Sequence, residues 1–168
     1  MSAGFTFILN KIKDSIITDI RQQSYTLATI EWETGNTFQP VREWGTEEYL
    51  KSKPYYPFVG MGYIQLTWKN NYDLFSKILR IDLITHPELA MIPENAWKIC
   101  EIGMTQGLFT GKKLDDYFNE KITDWFNARR IINGLDRAEK IAERAQEYMK
   151  SIDVNNYPSR KADEIERF

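Results

Sequence analysis

Apolar positions recur along most of this chain at helical spacing. From residue 5 to about residue 17, Ile8, Ile12, Ile16 and Ile17 share one side of a predicted helix. Thr18-Asp19 is a start signal for a second helix, which runs to about Thr34 and is stopped by Gly35-Asn36. Ile20, Leu27, Ala28 and Ile30 supply its buried stripe. Residues 35–45 form a loop, and Thr46-Glu47-Glu48 caps a short helix that ends before Pro54. The period then changes. Gly60-Met61-Gly62, followed by Tyr63, Gln65 and Thr67 alternating with Ile64 and Leu66, predicts a tight turn and a strand with one polar and one apolar face. Helices return over 68–80, 93–106 and 122–132, with a loop at 81–92 and a turn at 114–118. The last helix, 135–152, aligns Leu135, Ala138, Ile141, Ala142, Ala145, Tyr148 and Met149. The pattern fits one domain over residues 1–152 and a polar extension over 153–168.

The end of the second helix stands out chemically. Glu33 comes one residue before Thr34-Gly35-Asn36, so a rigid element holds its carboxylate at the lip of a loop. Glu31 and Glu33 are two residues apart, about 200° around the helix, and cannot share a face. Glu33 follows Ile30 at the border of the apolar stripe, where a carboxyl loses part of its hydration.

Composition narrows the chemistry. With 168 residues and 42% apolar content the chain can bury a core, and a net charge of −2 argues against wholesale nucleic-acid binding. The lone Cys100 sits at helical spacing with Ala96, Ile99 and Met104 and reads as a core residue, and the lone histidine, His86, precedes Pro87 in a loop. That inventory points to no metal and no cofactor. Gly60-Met61-Gly62 lacks the third glycine and following helix of a dinucleotide loop. Arg129-Arg130 reads as a solvated face, with a small anion site as the alternative. No signal peptide and no membrane insertion are expected, since no stretch nears the ~20 apolar residues of a span. What remains is a set of carboxylates around a turn and a strand face of amides and hydroxyls. A groove so equipped suits glycoside hydrolysis, in which one carboxyl protonates the leaving oxygen and another activates water.

Glu33-Thr34-Gly35, then the run from Gly60 through Tyr63-Ile64-Gln65-Leu66-Thr67-Trp68 to Tyr72, then Arg130-Ile131-Ile132-Asn133-Gly134 occur in that order. Over residues 20 to 152 this resembles the plant-type chitinases of glycoside hydrolase family nineteen, and more closely the compact lysins of bacteriophages. The resemblance implies a mainly α (α+β), lysozyme-like fold, helical with a small antiparallel β-sheet of two or three strands lining a cleft. It implies Glu33 as general acid, Thr67 as holder of the catalytic water, and Tyr63, Gln65, Asn71 and Asn133 as substrate-binding residues. Glu43 matches the second carboxylate best, with Glu47 and Glu48 as alternatives. A cleft residue that is usually arginine falls near Lys140 or Arg137. Trp32 stands where the family has histidine, and Met61 replaces the arginine of the Gly-Arg-Gly turn. The implied function is endolysin or muramidase activity on the β-1,4 linkages of bacterial peptidoglycan. Its rivals are a chitinase and a catalytically inactive wall-binding or phage structural domain. Such a protein is expected to be a monomer made in the host cytoplasm that meets the cell wall through a holin-type pore or from a phage particle.

Overall fold

Helix α2 (Ile20–Glu33) is the element around which the rest packs, and every residue from Gln23 to Ile30 is buried. A helix carrying Gln23, Thr26 and Thr29 can sit inside because those polar groups find carbonyls nearby. Thr26 Oγ1 donates to Gln22 O and Thr29 Oγ1 to Tyr25 O at 2.8 Å each, and Gln23 Nε2 donates to Ile17 O at 2.8 Å. Asp19 caps the first turn by accepting from Arg21 N. At the other end Thr34 Oγ1 donates to Ile30 O and accepts from Phe38 N, turning the chain sharply after Glu33.

The computed structural model describes residues 1–151. In chain order it comprises α1 (Ala3–Lys13), α2, β1 (Val41–Arg42), α3 (Glu47–Lys51), β2 (Met61–Gly62), α4 (Lys69–Leu79), α5 (Pro93–Gln106) and α6 (Ala138–Ser151). Short 3-10 turns lie at Pro87–Met91, Leu114–Asp116 and Asn127–Ile131. The protein is thus mainly helical with a small antiparallel sheet, in which Val41 faces Gly62 and Arg42 faces Met61. The most extensive helix pairing is α2 against α6, where Ala138, Ala142 and Ala145 let the backbones approach. Ile8, Ile12, Leu27, Ile30, Tyr72 and Phe75 are essentially inaccessible to solvent, and a side chain of that size contributes about 1.5–3 kcal/mol by burial. Among the described residues no helix is long and apolar enough to cross a membrane.

The structure corrects the sequence reading at five elements. Helix α1 ends at Lys13, so Ile17 is buried while Ile16 is 64% exposed. The expected strand over Tyr63–Thr67 is a tight hairpin, in which Met61 and Leu66 exchange backbone hydrogen bonds at 3.1 and 2.9 Å. Gln65 takes a φ of 56°, which breaks the alternation and turns Tyr63 into the core. Residues 122–132 form only the 3-10 turn at its end, because the Asp124 side chain binds Asn127 at both its backbone N and its Nδ2 and tightens the chain there. Helix α6 begins at Ala138, since Arg137 is left-handed (φ 60°), and Leu135 remains exposed. The 81–92 loop contains the turn at Pro87–Met91. The proposed extension over 153–168 lies outside the described residues.

Candidate functional site

Glu33 ends α2 with its side chain 16% exposed, and its partner is Arg129, whose side chain is 3% exposed. Arg129 Nη1 donates to Glu33 Oε1 at 2.6 Å, while Nε donates to the Asp136 carbonyl at 3.0 Å. The Asn127–Ile131 turn thus holds a guanidinium at both ends and presses it against one carboxylate oxygen. Tyr25 lies in the same field. Burial pushes its phenol well above the ordinary value while the Arg129 charge opposes this, and its hydroxyl has no hydrogen-bond partner among the described residues.

A hollow of about 260 Å3 opens in front of Glu33, lined also by Thr34, Gly35, Thr37, Val41, Trp44 and Gln65. Trp44 stands 92% exposed at its rim. A second hollow, of about 140 Å3, is lined by Gln65, Thr67, Trp68, Asn71, Phe109 and Ile132 among others. Gln65 lines both, so the two hollows adjoin, with Trp44 in the lining of the first and Trp68 in that of the second. Indole faces with amides and hydroxyls between them suit an uncharged, amphipathic ligand such as a sugar chain.

The hairpin forms the opposite wall. Gln65 Nε2 donates to Val41 O at 2.8 Å, Thr67 Oγ1 to Gln65 O at 2.8 Å, and Asn71 Nδ2 to Thr67 O at 2.8 Å. Two non-glycine residues here, Gln65 and Trp68, hold positive φ (56° and 76°), a conformation retained where the surroundings over-determine it. Gly60 has no space for a side chain, since a Cβ there would stand 2.7 Å from Gln65 Oε1. Gly62, at φ 96°, needs glycine for its backbone.

Glu43 is bonded to this wall and lines neither hollow. Its Oε1 accepts from Tyr55 Oη at 2.7 Å and its Oε2 from Gly60 N at 3.0 Å, and Tyr55 in turn packs edge-on to Trp68 at 5.1 Å between ring centres. The Tyr55 phenol is pushed up to about 12, chiefly by that hydrogen bond. Glu47 is engaged by Arg42 at 2.8 Å on the exposed start of α3, and Glu48 is exposed. Of the three candidates for second carboxylate, Glu43 alone is built into the hairpin.

The groove therefore gathers Glu33, Gln65, Thr67 and Asn71, with Glu43 bonded into its hairpin wall. It excludes Tyr63, which is 1% exposed and unavailable to a ligand. Asn133 is exposed, with Oδ1 accepting from Gly134 N, and lines neither part of the groove, where Ile132 stands instead. Lys140 lines a different hollow, and Arg137 lies over the Trp32 ring. The arginine that meets the acid is Arg129, so Arg129-Arg130 is no simple solvated face: Arg130 is exposed and Arg129 is interior. The sequence signal for Arg129 was its closeness to Ile131-Ile132-Asn133-Gly134. Trp44 gave a weaker one, as a tryptophan in a loop between Glu43 and Gly45. Cys100 is buried, as expected of a core residue, and burial pushes its thiol up. His86 is exposed beside Glu88 at 3.2 Å. Compared with known proteins, the chain matches no protein-family model and no curated sequence.

Proposed function

We propose that this protein is a glycoside hydrolase that cleaves β-1,4 linkages of bacterial peptidoglycan, with Glu33 as general acid. The observation that carries this reading is the Glu33 carboxylate at the end of α2, lining a hollow together with Trp44 and Gln65. A protonated carboxyl can keep that arrangement: Oε1 accepts from Arg129 as a carbonyl oxygen, and Oε2 carries the proton to the glycosidic oxygen. The hydrogen bond fixes the acid's orientation, which is the geometric requirement for proton transfer. Glu43, the second carboxylate of this reading, lines neither hollow and acts through the hairpin: its oxygens accept from Tyr55 and Gly60 and so hold the strand end that carries Thr67, which orients the attacking water. Gln65, Asn71, Trp44 and Trp68 hold the glycan. The mainly helical fold with its small antiparallel sheet, and the resemblance of the motif residues to family nineteen, are in keeping with the same reading. The protein reaches the wall through a separate membrane pore or on a phage particle.

The decisive experiment is release of reducing ends from purified peptidoglycan by the wild type beside Glu33→Gln. Release lost in the variant establishes a wall glycosidase and its acid, and the anomer first formed identifies an inverting or a retaining route. A second reading, glycan binding without cleavage, is favoured by the same ion pair, because Arg129 pairs with the charged carboxylate rather than with an acid's proton. Retention on sacculi with no reducing ends from peptidoglycan or chitin oligomers would establish that reading instead.

A further inference from the structure

A separate hollow of about 190 Å3 lies on the other flank of the α2 terminus, between it and α6. Glu31, Trp32 and Asn36 line it from one side, Lys140 and Arg144 from the other. Its negative charge is already answered: both Glu31 oxygens accept from Arg144, at 2.7 and 3.0 Å, and Arg144 also donates to Glu147 at 2.8 Å. Lys140 makes no ion pair among the described residues. The Arg137 guanidinium stands 5.9 Å from the Trp32 ring centre, and its nearest carboxylate contact, with Asp136, is 4.0 Å long. The hollow thus offers one cation free of ion pairs among the described residues, Lys140, and one half-exposed indole, over which Arg137 lies outside the lining.

Its position gives this chemistry a purpose. Residues 31, 32 and 36 line this hollow and residues 33, 34, 35 and 37 line the Glu33 hollow, so the two share the last turn of one helix and its stop. The two lie on different flanks of that helix, whose width with side chains is about 10–12 Å, a span that a substituent such as an extended peptide of four residues, at about 3.3 Å each, covers. Chitin carries no such substituent. The wall glycan carries, on alternate sugars, a short peptide with free carboxylates.

We infer that this hollow receives a carboxylate of the peptide borne by the glycan, with Lys140 as its cation and Trp32 as its apolar wall. This rests on wall glycan being the substrate, and it deepens that reading by giving a physical basis for preferring peptidoglycan to chitin. An exposed lysine contributes through a solvent-screened charge pair, so the effect is one of selectivity rather than of activity as such.

The test uses the full chain with peptide-bearing glycan strands and with the same strands stripped of peptide by an amidase. Lys140→Glu should lower the ratio of kcat/KM on peptide-bearing over stripped strands by about fivefold. An unchanged ratio overturns the inference while leaving the glycosidase reading intact. If the wild type cleaves neither substrate, the glycosidase reading fails, and binding decides the inference. Nuclear magnetic resonance titration with the wall disaccharide bearing a tetrapeptide, beside the bare disaccharide, should move the Trp32 indole signal with the first probe only. No shift, or equal shifts with both probes, overturns it.

Discussion

Glu31 and Glu33 stand two residues apart at one helix end, and each meets an arginine from roughly a hundred residues further on, yet the two pairs do different work. The carboxylates are almost equally covered, at 14% and 16% exposure, so the contrast lies in the cations. Arg144 is 45% exposed and shared among Glu31, Glu147 and the Tyr148 ring and hydroxyl. Arg129 is interior, with the Asp136 carbonyl as its other partner. An exposed pair is screened and contributes about 0–1 kcal/mol. A buried pair need not stabilise in total, but losing one partner strands the other charge. The Glu33 pair is therefore held more rigidly than the Glu31 pair, the difference on which the proposed division between an acid and a recognition hollow rests.

Perturbing each side separately sharpens this contrast. The largest expected effect is on activity: Glu33→Gln should reduce reducing-end release about a thousandfold, the scale of a lost general acid. Its amide oxygen still accepts from Arg129 but no longer balances the buried guanidinium, so urea denaturation should register a loss of about 2 kcal/mol. Equal activity in both proteins would remove Glu33 from the chemistry. Next comes Arg129→Ala, which removes a buried guanidinium and leaves Glu33 facing an unfilled site. We expect about 3 kcal/mol of destabilisation by the same measurement. A loss below about 1 kcal/mol would make the two ion pairs equivalent and erase the comparison.

A third carboxylate on the same helix provides an internal control. Asp19 is met by Arg21 from its own first turn, and that side-chain hydrogen bond, against the opposing effect of burial, lowers its pKa from the ordinary 3.8. Its contribution is therefore complete above about pH 4 and lost as the pH falls through the lower folded value. Asp19→Asn keeps an N-cap acceptor, so it should change neutral-pH stability by under about 1 kcal/mol while flattening the acid limb of the stability curve. A limb of unchanged steepness would assign that pH dependence elsewhere. Smaller still, Arg144→Ala should cost about 0.5 kcal/mol, and addition of salt should shrink the difference from wild type. Trp44→Ala should leave the melting temperature unmoved, because the ring is 92% exposed, while weakening retention on glycan.

Much of this could be read from local pattern. The start of α2 at Asp19, its stop at Thr34-Gly35, and Glu33 at the stripe's border depend on capping groups and periodicity within a few residues. The hairpin was legible as a glycine-bounded turn but not in its register. Strict alternation predicted Tyr63 outside, and a left-handed Gln65, held by its amide on the Val41 carbonyl, put it inside. Asn133 and Lys140 followed from motif order, which does not report which wall of a groove a loop residue faces.

What the sequence by itself determined is the mainly helical class, the helix that carries Glu33, and the glycine positions that shape the hairpin, because each depends on neighbours within about one or two turns. Only the tertiary structure decided that Arg129 rather than Arg137 or Lys140 meets the acid, that Glu43 rather than Glu47 or Glu48 is built into the hairpin wall, and that Lys140 faces a second hollow. Those choices depend on which distant segments pack together, and a charge's burial and partner exist only after packing has removed the water between them.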